Sequence, residues 1–87
     1  MEIIITDTAK EDIQFFLKSG QKGILKKIEK LLISIKDNPF SGIGKPQLLK
    51  HNYSGRWSRR IDSEHRIIYS VEDELVYIFS VRGHYKY

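Results

Sequence analysis

The segment PFSGIGKP, Pro39 to Pro46, divides this 87-residue chain into two halves whose apolar residues follow different periods. Two prolines and two glycines within eight residues preclude a regular element, since proline removes a backbone donor and glycine resists ordering. Upstream, apolar side chains recur at three- and four-residue steps; downstream they fall into short runs bounded by turn residues. A chain of this length holds one small core, so the helical half and the strand half must bury their apolar faces against each other.

Met1 to Ile5 form an isoleucine-rich run that predicts a first strand. Thr6, Asp7 and Thr8 then offer helix N-caps, with Thr8 and Glu11 at capping-box spacing. Ile13, Phe16 and Leu17 share one face of a first helix that stops at Gly20. Ile24, Ile28, Leu31, Leu32 and Ile35 mark a second helix, which ends at Asn38 because a residue before proline avoids helical geometry. Lys22, Lys26, Lys27, Lys30 and Lys36 sit mostly on its other faces, as a solvated surface with an RNA track as the alternative. Strands are predicted at Leu48 to Lys50, Trp57 to Ile61, His65 to Val71 and Leu75 to Arg82, with hairpin turns around Asp62 to Glu64 and Glu72 to Glu74. The expected fold is α+β and a single domain over residues 1–87. One antiparallel-rich sheet carries both N-terminal helices on one face and leaves the other face open to a ligand.

The formal charge of +4 is concentrated in one quarter of the chain. Between Lys45 and Arg66, six basic residues (Lys45, Lys50, Arg56, Arg59, Arg60, Arg66) outweigh Asp62 and Glu64, whereas the remainder holds nine basic and nine acidic residues. His51, Tyr53, Trp57 and His65 are interleaved with the cations. Such a stretch suits a polyanion, because clustered Lys and Arg stabilise a bound phosphate backbone and aromatic rings stack on unpaired bases. Trp57 reads as core in preference to a stacking platform. With no cysteine, the chain has no disulfide framework or thiolate site and suits a reducing compartment. Its apolar runs are too short for a signal peptide or a membrane span, so the expected location is cytoplasmic, with no membrane partner.

No glycine-rich phosphate loop, GxSxG or HExxH pattern occurs. The chemistry left is that of His, Arg, Lys and Tyr. These suffice for RNA cleavage in which a base takes the ribose 2′-OH proton, a cation steadies the phosphorane and an acid protonates the leaving 5′ oxygen. Along the strands, Arg66, Ile68 and Ser70 share one side and His65, Ile67, Tyr69 and Val71 the other. Ser80, Arg82 and His84 align if the last strand stays extended.

The stretch GKPQLLKHNYSGRWSRRIDSEHRIIYSV, Gly44 to Val71, together with the terminal RGHYKY, resembles the YoeB family of toxins in the RelE superfamily. The likeness runs nearly end to end. It implies a RelE-like fold and ribosome-dependent endonuclease activity on messenger RNA, without metal or cofactor. It also implies a YefM-like antitoxin that occupies or distorts the site, and it leaves homodimer formation open. Under this resemblance Arg66 matches the arginine that binds the scissile phosphate. His84 and Tyr85 match the C-terminal active-site pair, His84 suited to proton donation and Tyr85 to ordering a base or the ribose. Lys45 falls in the matched stretch as an RNA-binding candidate. Lys50, His51, Arg59 and Arg60 do so too, as RNA-contacting or structural residues.

One position departs from the family pattern. Where the family carries a glutamate regarded as the general base, this chain has Gln47, and an amide cannot accept the 2′-OH proton at neutral pH. Either another group is the base, His84 or the substrate itself, or catalysis is weakened. The chain also runs past the family's HY end with Lys86 and Tyr87. The runner-up reading is a feeble or inactive homologue that binds RNA, the ribosome or the antitoxin within a repressor complex.

Overall fold

The computed structural model describes residues 1–50 and 55–83. In chain order its elements are β1 (Glu2–Ile5), α1 (Asp7–Lys18), α2 (Lys22–Asp37), β2 (Gln47–Leu48), β3 (Arg56–Arg60), β4 (Arg66–Glu72) and β5 (Leu75–Ser80). They form one sheet of order β1-β5-β4-β3-β2. The last four strands make the expected antiparallel meander. β1 docks parallel to β5, with Ile3 beside Val76 and Ile5 beside Ile78. The connection between these parallel neighbours runs through both helices and the other three strands, since a tight turn cannot join parallel strands.

Both helices lie on one sheet face. Ala9 and Phe16 of α1 and Ile28, Leu31 and Ile35 of α2 pack in one core with Ile67, Tyr69, Val76 and Ile78. This is the layered arrangement the periodicity predicts, with two corrections in α1. The cap is Thr6, whose hydroxyl accepts from the Ala9 amide and donates to Ile78 O at 2.8 Å, so one side chain closes the helix and ties it to β5. Thr8 lies inside the first turn. Leu17, expected on the core face, is 52% exposed, because the stripe through Ile13 and Phe16 already fills the space above the sheet. No helix among the described residues is long and apolar enough to cross a membrane.

The Pro39–Pro46 segment is knit around one arginine. Arg59 Nε donates to Tyr69 Oη (3.1 Å), Nη1 to Ser34 Oγ (2.7 Å) and Ile43 O (3.1 Å), and Nη2 to Asn38 O (2.6 Å) and Ser41 O (2.9 Å). All five donors of the guanidinium are therefore satisfied inside the protein, and the side chain is fully buried. Gly42 and Gly44 permit this closeness. A Cβ at Gly42 would collide with Ser34 Oγ, and one at Gly44 would lie 2.6 Å from Leu31 Cδ2; both positions have positive φ. Tyr69 completes the knot by donating to Pro39 O at 2.6 Å. Burial pushes its phenol above the ordinary value of 10.0, against the opposing hydrogen bond and charge of Arg59.

Tyr69→Phe should cost about 1–3 kcal/mol, because it leaves the Pro39 carbonyl and Arg59 Nε unpaired in the interior. Denaturant titration measures this. An unfolded tyrosine ionises before the buried one, so the stability held by the neutral phenol is present below pH 10.0 and lost as pH rises through the folded value. The phenylalanine variant should lack that alkaline loss.

Candidate active site

The sheet face opposite the helices carries the cations. Strand register places side chains in rows across it. Gln47 stands beside Ser58, Ser58 beside Ile68, and Ile68 beside Ser80. One step away along the strands, Arg60 pairs with Arg66, and one step the other way Arg56, Ser70 and Tyr77 line up. The alternation expected for β4 therefore holds: Arg66, Ile68 and Ser70 face away from the helices, and Ile67, Tyr69 and Val71 pack toward them.

The middle of this face is small and the rim is large. Ser58 and Ser70 are buried, and their hydroxyls have no hydrogen-bond partner among the described residues. Arg56 stands on one side with its guanidinium 4.0 Å from the Phe79 ring centroid. On the other side Arg60 is exposed and Arg66 half-buried. Arginines thus stand on both sides of a buried row of Ser58, Ile68 and Ser70. Gln47 is exposed on β2, two strands from Arg66, or roughly 10 Å across the sheet.

Other expected site residues fall in different places. Lys45, with a φ of 52°, and Lys50 are exposed on either side of β2. His51, His84 and Tyr85 lie outside the described residues. Arg59 takes the structural alternative: every N–H of its guanidinium is engaged by Ser34, Asn38, the Pro39–Pro46 segment and Tyr69, so it holds the loop that leads to Gln47 and has no donor left for a phosphate. Its parity was the available signal, because Arg59 shares a side with Trp57 and Ile61, both in or against the core. Trp57 is on the core side as expected, tilted against Phe40 with centroids 5.2 Å apart.

Arg82 is a correction. The β5 ladder ends at Ser80 because the Val81 amide turns to Asp12 Oδ2 (3.0 Å) on α1. The Arg82 guanidinium then lies 3.5 Å from the Phe15 ring centroid, on the helix side and away from the open face. His65, counted among the rings interleaved with the cations, takes a different place. It is buried at the start of β4, and its Nδ1 accepts from the Gly83 amide at 2.9 Å.

The YoeB-like toxin family of bacterial type II toxin-antitoxin systems matches residues 5–85. Toxin YoeB of Synechocystis is 45% identical over 86 residues, 99% of each chain. A YoeB/ParE toxin from Agrobacterium tumefaciens superposes with a TM-score of 0.91 at 34% identity, covering 98% of this chain and all of that one. YoeB from Staphylococcus aureus is 43% identical over 98% of both chains. Its TM-score is 0.84 in the heterotetrameric YoeB-YefM complex and 0.85 in the YoeB dimer.

Proposed function

Because the chain belongs to the YoeB-like toxin family of bacterial type II toxin-antitoxin systems, we propose that it is a cytoplasmic, ribosome-dependent endoribonuclease that cuts messenger RNA and is silenced by a YefM-like antitoxin. The observation that carries this reading is the juxtaposition of Arg60, Arg66 and Gln47 on the open sheet face, over a floor of Ser58, Ile68 and Ser70. A single strand laid along this face has its phosphates between arginines on either side. The ribose 2′-OH attacks the adjacent phosphorus as its proton passes to a nonbridging phosphate oxygen of the substrate, the bond to the 5′ oxygen breaks, and a 2′,3′-cyclic phosphate and a 5′-OH result. Arg66 opposes the charge that accumulates on the phosphorane oxygens. His84 protonates the departing 5′ oxygen, and Tyr85 orders the base or ribose. Arg, His and Tyr side chains supply these steps without a metal or cofactor.

S. aureus YoeB is solved with YefM, and a comparable partner fits the present chain's need to keep a cationic face covered. One observation favours a second reading. Gln47 offers an amide where a carboxylate base would stand, which suits a weak nuclease that acts chiefly through binding within a repressor complex. A direct test separates the two. Protein purified free of antitoxin should give discrete cuts in messenger RNA on programmed ribosomes and leave naked RNA intact. Ribosome binding without cuts would favour the second reading.

A further inference from the structure

His65 and Gly83 make a contact that the reaction above does not use. His65 is 9% exposed, with its ring edge-on to Phe16 and centroids 5.1 Å apart. Its backbone is held by the Asp62 turn: Asp62 Oδ1 accepts from the Glu64 amide (2.8 Å) and the His65 amide (2.7 Å), and the His65 carbonyl accepts from Ile61 N at 3.0 Å. The ring is thus fixed before it meets Gly83. A backbone amide can only donate, so the 2.9 Å bond from Gly83 N requires an unprotonated Nδ1, with the ring hydrogen on Nε2, 3.5 Å from Glu64 Oε2. Gly83 is also held at its carbonyl, which accepts from the Arg66 amide at 3.0 Å. One glycine, at a φ of 78°, is therefore gripped through both backbone groups by two consecutive residues of β4's entry. The residue that follows it in the chain is His84.

The strand ladder has ended by this point, so β-pairing no longer registers residue 83 against β4. Packing against Phe16 would be served equally by leucine or phenylalanine; the acceptor at Nδ1 is what those residues lack. We propose that His65 is a positioning residue for the cleavage reaction: its Nδ1 fixes Gly83, the residue immediately before His84 in the chain, in register with Arg66. This rests on the functional reading above.

Asparagine can place Oδ1 near the position of the imidazole Nδ1, whereas leucine fills the site without an acceptor. His65→Leu and His65→Asn are therefore compared with wild type, each freed of antitoxin. Single-turnover cutting on programmed ribosomes gives the maximal rate and the half-saturating concentration, and amide hydrogen exchange reports on Gly83. His65→Leu should cut about tenfold to a hundredfold more slowly, the effect of a group displaced by about 1 Å. It should keep its half-saturation within about twofold, as expected for a change that spares ground-state binding, and exchange Gly83 faster. His65→Asn should recover most of the rate and of the protection. Equal Gly83 exchange in wild type and His65→Leu overturns the clamp, whatever the activity. Faster exchange with an undiminished rate overturns the positioning role, as does a folded His65→Asn that protects Gly83 but stays as slow as His65→Leu. A wild type that cuts nothing overturns the reading of function, and the exchange comparison still decides the clamp.

Discussion

Arg66→Ala should slow single-turnover cleavage on programmed ribosomes by about a hundredfold to a thousandfold, the usual loss when one preorganised donor to a developing oxyanion is removed. The effect belongs in the rate and not in ribosome affinity. Charge on the phosphorane oxygens grows as the transition state forms, and the rest of the cationic rim, with Arg56 and Arg60, still holds the backbone. The fold should tolerate the change. Arg66 lies outside the core cluster, and its strand pairing with Arg60 and the bond from its amide to Gly83 O are kept by alanine. Arg66→Lys should fall between the two, since an ammonium keeps the charge but loses the planar fork that fits phosphate. Thermal unfolding checks the first condition and cutting the second. Wild-type cutting by a stably folded Arg66→Ala would remove this residue from the chemistry.

Gln47→Glu should act in the opposite direction and accelerate cleavage by about a hundredfold to ten-thousandfold, the range that a well-placed general base contributes. The position suits the exchange. Gln47 is exposed on the short edge strand β2, beside Ser58, so a carboxylate there needs no buried partner and lies on the same sheet face as Arg60 and Arg66. The loop that delivers it is pinned by Arg59 and should not shift. Combining the change with His84→Ala identifies the base now in use. If His84 takes the 2′-OH proton, its loss should be severe in the natural background and partly rescued by the new carboxylate. If His84 acts only as the acid, no rescue follows. Gln47→Glu and Gln47→Ala that both cut at the wild-type rate would place residue 47 outside the reaction.

Periodicity located the elements and grouped side chains by face, but it misplaced Leu17 and the end of β5. With apolar residues on both sides of β4, it left the choice of open face to the tertiary structure. The three-to-four spacing of Ile28, Leu31 and Ile35 and the alternation of Ile67, Tyr69 and Val71 against Arg66, Ile68 and Ser70 are local properties. Side chains must leave a helix or strand at those angles whatever the rest of the chain does. The end of α2 at Asp37, with Asn38 as its cap, was legible for the same reason, because Pro39 acts on its immediate neighbour. Family membership was also legible, since a motif running from Gly44 to Val71 is itself a sequence property.

Partner choice was decided by the tertiary structure. Arg59 and Arg60 are adjacent, equally charged and equally suited to phosphate in composition. The pleat sends Arg60 to the open face and Arg59 beneath the Pro39–Pro46 loop, where carbonyls of Asn38, Ser41 and Ile43 take the place a phosphate would have. Arg82 turns to Phe15 because Asp12, 69 residues earlier in the chain, accepts the Val81 amide and ends the strand. The parallel seat of β1 on β5 and the His65–Gly83 bond are likewise agreements between distant segments. A sequence sets how many donors and acceptors each residue brings and on which side of its own strand or helix they emerge. Which of them meet depends on how those segments pack, and packing is a property of the whole chain.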